Sequence, residues 1–147
     1  MKRYTVGFVF DQGMQNVLLI EKTHPEWQRG KYNGVGGRIE EGESDIECMV
    51  REMKEEAGLS IPAEQWREIA MTAVGDSVEV VFFATKYAGV MTDAVTMTEE
   101  QVIWFPADRL PEKVISNLRW LIPLCKDTFG KQDTPGDGIA EVQVRYK

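Results

Sequence analysis

The alternation of apolar and polar residues predicts most of the elements of this chain. Tyr4, Val6, Phe8 and Phe10 recur every second residue, the spacing of a strand with one buried face. Val17 to Ile20 forms a second short apolar run after the turn signal Asp11-Gln12-Gly13. A polar loop follows from Thr23 to Lys31, and then Asn33-Gly34-Val35-Gly36-Gly37, too glycine-rich for a helix or a plain strand interior. From Ser44 to Ala57 the period changes. Ile46, Met49, Val50, Met53 and Ala57 lie three or four apart, which predicts one apolar helical stripe. Ser44 and Glu47 form a capping-box pair, and Gly58 supplies the stop. Trp66 to Val74 and Val78 to Lys86 read as strands joined by Gly75-Asp76-Ser77, and Val102 to Phe105 as another. Leu110-Pro111 opens a second helical stretch with Val114, Leu118, Leu121 and Ile122 on one face. Gln132 to Gly138 reads as a turn-rich linker. In the tail, Ala140, Val142, Val144 and Tyr146 alternate with Glu141, Gln143, Arg145 and Lys147, as in a half-buried strand. Strands outnumber helices without alternating regularly with them, so the fold class is α+β, with a mixed, mostly antiparallel sheet and helices packed on it.

The 147 residues fit a single domain over 1–147. Neither internal repeats nor low-complexity segments interrupt it. Hydrophobic residues make up 43 % of the chain, enough for a packed core, and no run approaches the roughly 20 apolar residues of a membrane span. Lys2 and Arg3 precede a short apolar run that Asp11 ends too early for a signal peptide, which predicts a cytoplasmic protein. Cys48 and Cys125 lack zinc-site spacing and read as reduced and partly buried. The net charge of −7 argues against extended nucleic-acid binding. It is compatible with a nucleotide if divalent cations lie between the anions.

The acidic residues are grouped. Glu52, Glu55 and Glu56 fall on one side of the helix, away from the Met49–Met53 stripe. Like charges at this spacing repel, and in the last turn the helix dipole disfavours them further. A sequence selected only for stability would not place them there. Alone they would read as solvated surface; a hard divalent cation such as magnesium would resolve the repulsion. Gly34, Gly36 and Gly37 allow the backbone before the helix to approach closely. Arg51 is placed to pair with Glu43 and hold loop to helix, the role favoured here over contact with substrate.

Gly37, Glu43, Arg51, Glu52, Met53, Glu55, Glu56, Gly58 and Leu59 match every specified position of the pattern Gly-x5-Glu-x7-Arg-Glu-apolar-x-Glu-Glu-x-Gly-apolar. This is the Nudix box, and the chain is identified by it as resembling the Nudix hydrolases. The resemblance implies an α/β/α sandwich with the box as a loop–helix–loop. It implies catalytic roles for Glu43, Arg51, Glu52, Glu55 and Glu56, and a divalent ion, Mg2+ with Mn2+ as substitute, held by Glu52, Glu55 and Glu56 with Gly37. Many members recruit another glutamate from a loop before a late strand; Glu99 and Glu100 occupy that location, and each is equally a solvated loop carboxylate.

Gly30-Lys31-Tyr32-Asn33-Gly34-Val35-Gly36-Gly37, Trp104-Phe105, Leu110-Pro111 and Arg119 to Leu124 resemble the MutT-like, 8-oxo-dGTP diphosphatase branch. That branch carries Trp-Pro-Asp-Asp where this chain has Ile115-Ser116-Asn117-Leu118, which puts an oxidised purine in doubt. Asn33 either reads a base edge or shapes its turn. Asn117 is a second ligand candidate. Lys22, Arg29, Lys31 and Arg38 either meet phosphates or are solvated charges, and His24 is weighed chiefly as a loop residue. Trp27, Trp66, Trp104 and Trp120 each read as packing residues before stacking platforms, with Trp104 and Trp120 the first candidates for substrate contact. The expected activity is hydrolysis of a nucleoside triphosphate, possibly modified, to monophosphate and pyrophosphate, by a monomer or homodimer with a small-molecule nucleotide as partner. The rivals are an ADP-ribose or nucleotide-sugar pyrophosphatase and a non-catalytic nucleotide-sensing or RNA-binding domain.

Overall fold

In the computed structural model, which describes residues 1–130 and 142–146, eight strands and two α-helices build three layers. The strands are β1 (Lys2–Phe10), β2 (Asn16–Glu21), β3 (Tyr32–Asn33), β4 (Val35–Arg38), β5 (Arg67–Val74), β6 (Val78–Lys86), β7 (Val102–Pro106) and β8 (Val142–Tyr146). The helices are α1 (Asp45–Ala57) and α2 (Leu118–Gly130). Along the sheet the order is β3-β2-β1-β6-β5-β8, with β4 paired to β1 and β7 to β2. Among the described strands, β1–β6 and β5–β8 run parallel and the other pairs antiparallel. The mixed sheet and the α+β class agree with the sequence.

Each face of the sheet carries one helix and one core. On one side Phe8, Phe10, Val17 and Leu19 pack with Leu118, Leu121, Ile122 and Cys125 of α2. On the other, Val9, Leu18, Ile20 and Val35 pack with Met49, Met53 and Ala57 of α1. Adjacent residues of β1 serve opposite cores because successive strand side chains point to opposite faces. In α1 the capping box forms as expected: the Glu47 amide donates to Ser44 Oγ at 3.2 Å, and the Ser44 amide to Glu47 Oε2 at 3.0 Å. Gly58 closes the helix in the left-handed region at φ 69°.

Two expectations change. The glycine-rich segment does form a strand, β4, as the edge partner of β1, with Gly36 opposite Val6 and Gly37 opposite Thr5. Glycine is favoured here because a Cβ on Gly36 would overlap the Thr5 carbonyl oxygen. The second helix begins at Leu118, not Leu110. Residues 113–115 run beside β3 instead: the Tyr32 amide donates to the Lys113 carbonyl at 2.7 Å, and the Ile115 amide to the Tyr32 carbonyl at 2.9 Å. Val114 is buried as its spacing suggested, but from an extended segment. The tail strand joins its own sheet beside β5, with Val144 half-buried and Gln143 and Arg145 exposed. The expected linker at 132–138, with Ala140, Glu141 and Lys147, lies outside the described residues. Both cysteines are free and buried. Among the described residues no helix is long and apolar enough to cross a membrane.

Candidate active site

Strand β4 delivers its chain directly into the loop before α1, so the glycines and the acidic helix are neighbours in space. Arg51, one turn and a half into α1, ties this unit together. Its Nε donates to Glu43 Oε2 at 2.7 Å and its Nη2 to Glu43 Oε1 at 2.9 Å, a two-pronged pair, and Nη2 also donates to the Arg38 carbonyl at 3.2 Å. This pairing holds the Glu43 carboxyl far below its ordinary value, at about 2. Arg51 thus makes the pair with Glu43 that the sequence suggested, joining loop to helix.

The three helix carboxylates do not converge as the helical spacing alone suggested. Arg51 Nη1 draws Glu52 to 2.8 Å and Glu55 to 3.1 Å, whereas Glu56 turns toward β4. Among the described residues no three His, Cys, Asp or Glu side chains are gathered into a ready-made metal group. The physical reason is that unneutralised carboxylates separate or seek a cation, and the guanidinium is the cation at hand. Glu52 is largely buried, packed where a Cβ on Gly37 would stand, and its carboxyl is raised by that burial and by Glu55 and Glu43, against the pull of Arg51. Glu55 is 57 % exposed.

Glu56 is the electrostatic outlier. Burial and the neighbouring Glu52 and Glu100 push its carboxyl up to about 7, despite Lys22 and a hydrogen bond from the Gly36 amide. Its Oε2 is buried with no hydrogen-bond partner. An orphaned carboxylate oxygen is costly, about 1–3 kcal/mol or more for a group that carries charge. A hard cation would satisfy it, and the neighbouring Glu52 and Glu100 supply carboxylate oxygen, the donor magnesium prefers. The residues present thus fit a divalent ion between Glu52 and Glu56.

Of the two late glutamates, Glu99 is 70 % exposed and reaches only His24, at 4.0 Å. Glu100 is buried. It accepts from the Thr23 amide at 2.6 Å and from Lys22 Nζ at 3.1 Å. Burial opposes its ionisation, but these two partners together hold its carboxyl below the ordinary value.

Glu52, Glu56, Gly36, Gly37 and Arg38 line a cleft of about 870 Å3. Its floor is the face of the sheet that α2 leaves uncovered. Tyr4 and Val6 of β1 stand beside Val80 and Phe82 of β6, and Thr72 of β5 beside Val80. Gln28, Asn33, Ile115 and Asn117 line the same cleft. The Asn33 amide nitrogen donates to Gln28 Oε1 at 3.2 Å, and its Oδ1 accepts from the Gly34 amide at 2.8 Å. Asn33 thus shapes its turn while lining the cleft. Asn117 Oδ1 is buried without a partner.

Two expected substrate contacts are not brought here. Lys31 is exposed and absent from the cleft wall. Trp104 lies on β7, at the α1-side core, where its indole nitrogen donates to the Met91 carbonyl at 2.9 Å. Trp120 packs against the α2-side core and Trp66 is buried. The tryptophan in the cleft wall is Trp27. Lys22 and His24 also line it, as does Gln28, which the sequence reading passed over. The available signal was a large aromatic in a polar loop with no apolar neighbour at strand or helix spacing: such a side chain has no core to join.

The NUDIX domain family matches residues 1–125. The human 8-oxo-dGDP phosphatase NUDT18 is 35 % identical over 111 residues, 74 % of this chain and 33 % of that protein. The NAD-capped RNA hydrolase NudC of Vibrio vulnificus (strain CMCP6) is 30 % identical over 97 residues, 66 % of this chain and 36 % of that protein. A mouse oxidized purine nucleoside triphosphate hydrolase is 33 % identical over 112 residues, 74 % of this chain and 68 % of that protein. The chain therefore spans about a third of the length of the first two relatives. In fold it is similar to a MutT/nudix family protein from Enterococcus faecalis, with a TM-score of 0.72 at 18 % identity, over 90 % of this chain and 64 % of that one.

Proposed function

The chain belongs to the Nudix family, and on that premise we propose that it hydrolyses a phosphoanhydride bond of a nucleoside triphosphate to a monophosphate and pyrophosphate, with a divalent cation, magnesium or manganese, as cofactor. One observation carries this reading. Glu56 places a partnerless carboxylate oxygen beside Glu52, in a cleft also lined by Gln28, Asn33 and Asn117 and by apolar strand residues. In this reading the polyphosphate lies against the carboxylates and the base against the amides. The relatives' names support a nucleotide: one concerns an oxidised nucleoside diphosphate, one a NAD cap, one an oxidised purine triphosphate.

In this reading Glu52 and Glu56 hold the cation, with Glu55, Glu100 and the Gly37 backbone as further oxygen donors. When bound, the ion supplies Lewis acidity at the phosphoryl oxygens and neutralises their charge. A box glutamate takes the proton of the attacking water as its oxygen bonds to phosphorus and the bridging P–O bond breaks. Arg51 and Glu43 keep loop and helix in register. Arg38 meets phosphate, and Asn33, Gln28 and Asn117 face the base. Release of phosphate and pyrophosphate, followed with magnesium over normal and oxidised or methylated triphosphates, dinucleoside polyphosphates, ADP-ribose and nucleotide sugars, tests the proposal. Pyrophosphate from one preferred triphosphate is the expected result. Cleavage of ADP-ribose or a sugar conjugate instead keeps the chemistry and replaces the substrate class. Binding without turnover of any of them would make the domain a sensor.

A further inference from the structure

The loop after β2 is held more firmly than its polar composition requires. The Lys22 amide donates to the Lys31 carbonyl and the Gly30 amide to the Lys22 carbonyl, both at 2.8 Å, which closes the loop at its base. Thr23 and Lys22 are fastened to the buried Glu100. At its tip a 3₁₀ turn, Glu26–Gln28, is pinned by the Gln28 amide donating to the Pro25 carbonyl at 2.9 Å and by Gln28 Oε1 accepting from Asn33. This framework presents one large apolar side chain, Trp27, which is 63 % exposed and belongs to neither core. An indole left in water forgoes its burial, and ordering a loop around it costs conformational entropy. Both costs make sense if something flat and apolar covers the ring. Trp27 lines the same cleft as Gln28, Asn33 and Asn117, whose amides the nucleotide reading assigns to the base.

We propose that Trp27 is the base-stacking residue of this protein, its indole covering one face of the substrate's nucleobase while the cleft amides meet the edge. The proposal rests on the nucleotide reading above and deepens it. Stacking recognises the π-face that every base has, so Trp27 contributes affinity and the amides contribute selectivity.

Two readouts on wild type, Trp27→Ala and Trp27→Phe test it. In the first, KM for the preferred triphosphate is expected to rise about tenfold or more in Trp27→Ala, with kcat changing much less, and Trp27→Phe recovers most of the loss. In the second, intrinsic fluorescence is followed without metal. A nucleoside monophosphate should quench wild type, ribose 5-phosphate should not, and Trp27→Phe should lose the quench although Trp66, Trp104 and Trp120 remain. An unchanged KM in Trp27→Ala, or a quench that survives in Trp27→Phe, overturns the proposal. If wild type turns over no nucleotide but shows the Trp27-dependent quench, stacking stands and the hydrolytic reading falls.

Discussion

A carboxylate placed where Glu56 stands loses hydration and faces two other carboxylates, Glu52 and Glu100, with Lys22 as the opposing charge. Its raised value near 7 means that the folded state binds more protons than the unfolded chain between about 4.5 and 7. Without metal, stability should therefore fall as pH rises through that window. Glu56→Gln removes the charge at almost constant volume. In metal-free thermal melts it should unfold no lower than wild type at pH 8, and the slope between pH 4.5 and 7 should flatten. Turnover should drop by roughly two orders of magnitude or more, the scale of a lost acid–base or charge-stabilising group. A variant that melts lower and keeps its activity would show that Glu56 is an ordinary structural residue. The identity of Glu56 as the outlier could not be read from the chain, where Glu52, Glu55 and Glu56 are equivalent box positions; burial against β4 separates them.

At the scale of elements, the unit that matters is β4, its following loop and α1. The boundaries of α1 were legible because the capping box, the apolar stripe and the closing glycine are all local signals, whereas β4 was not expected as a strand. The close approach of β4 to its neighbours was not legible, because it depends on which atoms lie opposite. A Cβ on Gly37 would overlap the Glu52 carboxylate, and only the packed structure supplies that carboxylate. The Glu43–Arg51 pair makes the unit rigid. Glu43 is 14 % exposed at its side chain, so its hydrogen bonds are not those of a loose surface pair. Glu43→Gln should destabilise the protein at neutral pH by about 1.5–3 kcal/mol, the range for hydrogen bonds to charged groups. The Glu43 carboxyl is depressed from 4.5 to about 2, so this contribution is complete above about 4.5 and is lost as pH falls through 2. Chemical denaturation of both proteins at neutral pH and at decreasing acidic pH measures it; a gap that stays constant with acidity would remove the ion pair as its cause.

For the molecule as a whole, the sheet separates two cores, and the cleft lies where α2 stops short of covering β1, β6 and β5. Part of the sheet face is thus kept from the core, and several carboxylates are kept from full neutralisation. Both are costs to the free protein that a ligand relieves. Magnesium binding to the native state alone should raise stability by about 2.7 kcal/mol at a hundredfold excess over Kd, roughly 5–10 °C in a domain of this size. A calorimetric melt with magnesium and with a chelator checks this, and Glu52→Gln or Glu56→Gln should shrink the shift. An equal shift in the variants would place the ion elsewhere.

What the sequence by itself determined were the features written in neighbouring residues. These are the α+β class, the capped amphipathic helix, the hairpin of β5 and β6, the strand that closes the sheet, and the box that marks the family. Periodicity and capping are short-range, so they survive without coordinates. The tertiary structure alone decided which glutamate is buried, that Glu100 and not Glu99 is held against Lys22, and that residues 113–115 run along β3 before α2 begins. It also decided that Trp27, not Trp104 or Trp120, stands in the cleft. Those outcomes depend on long-range burial and charge, on what each side chain meets from a distant part of the chain, and no local pattern encodes that meeting.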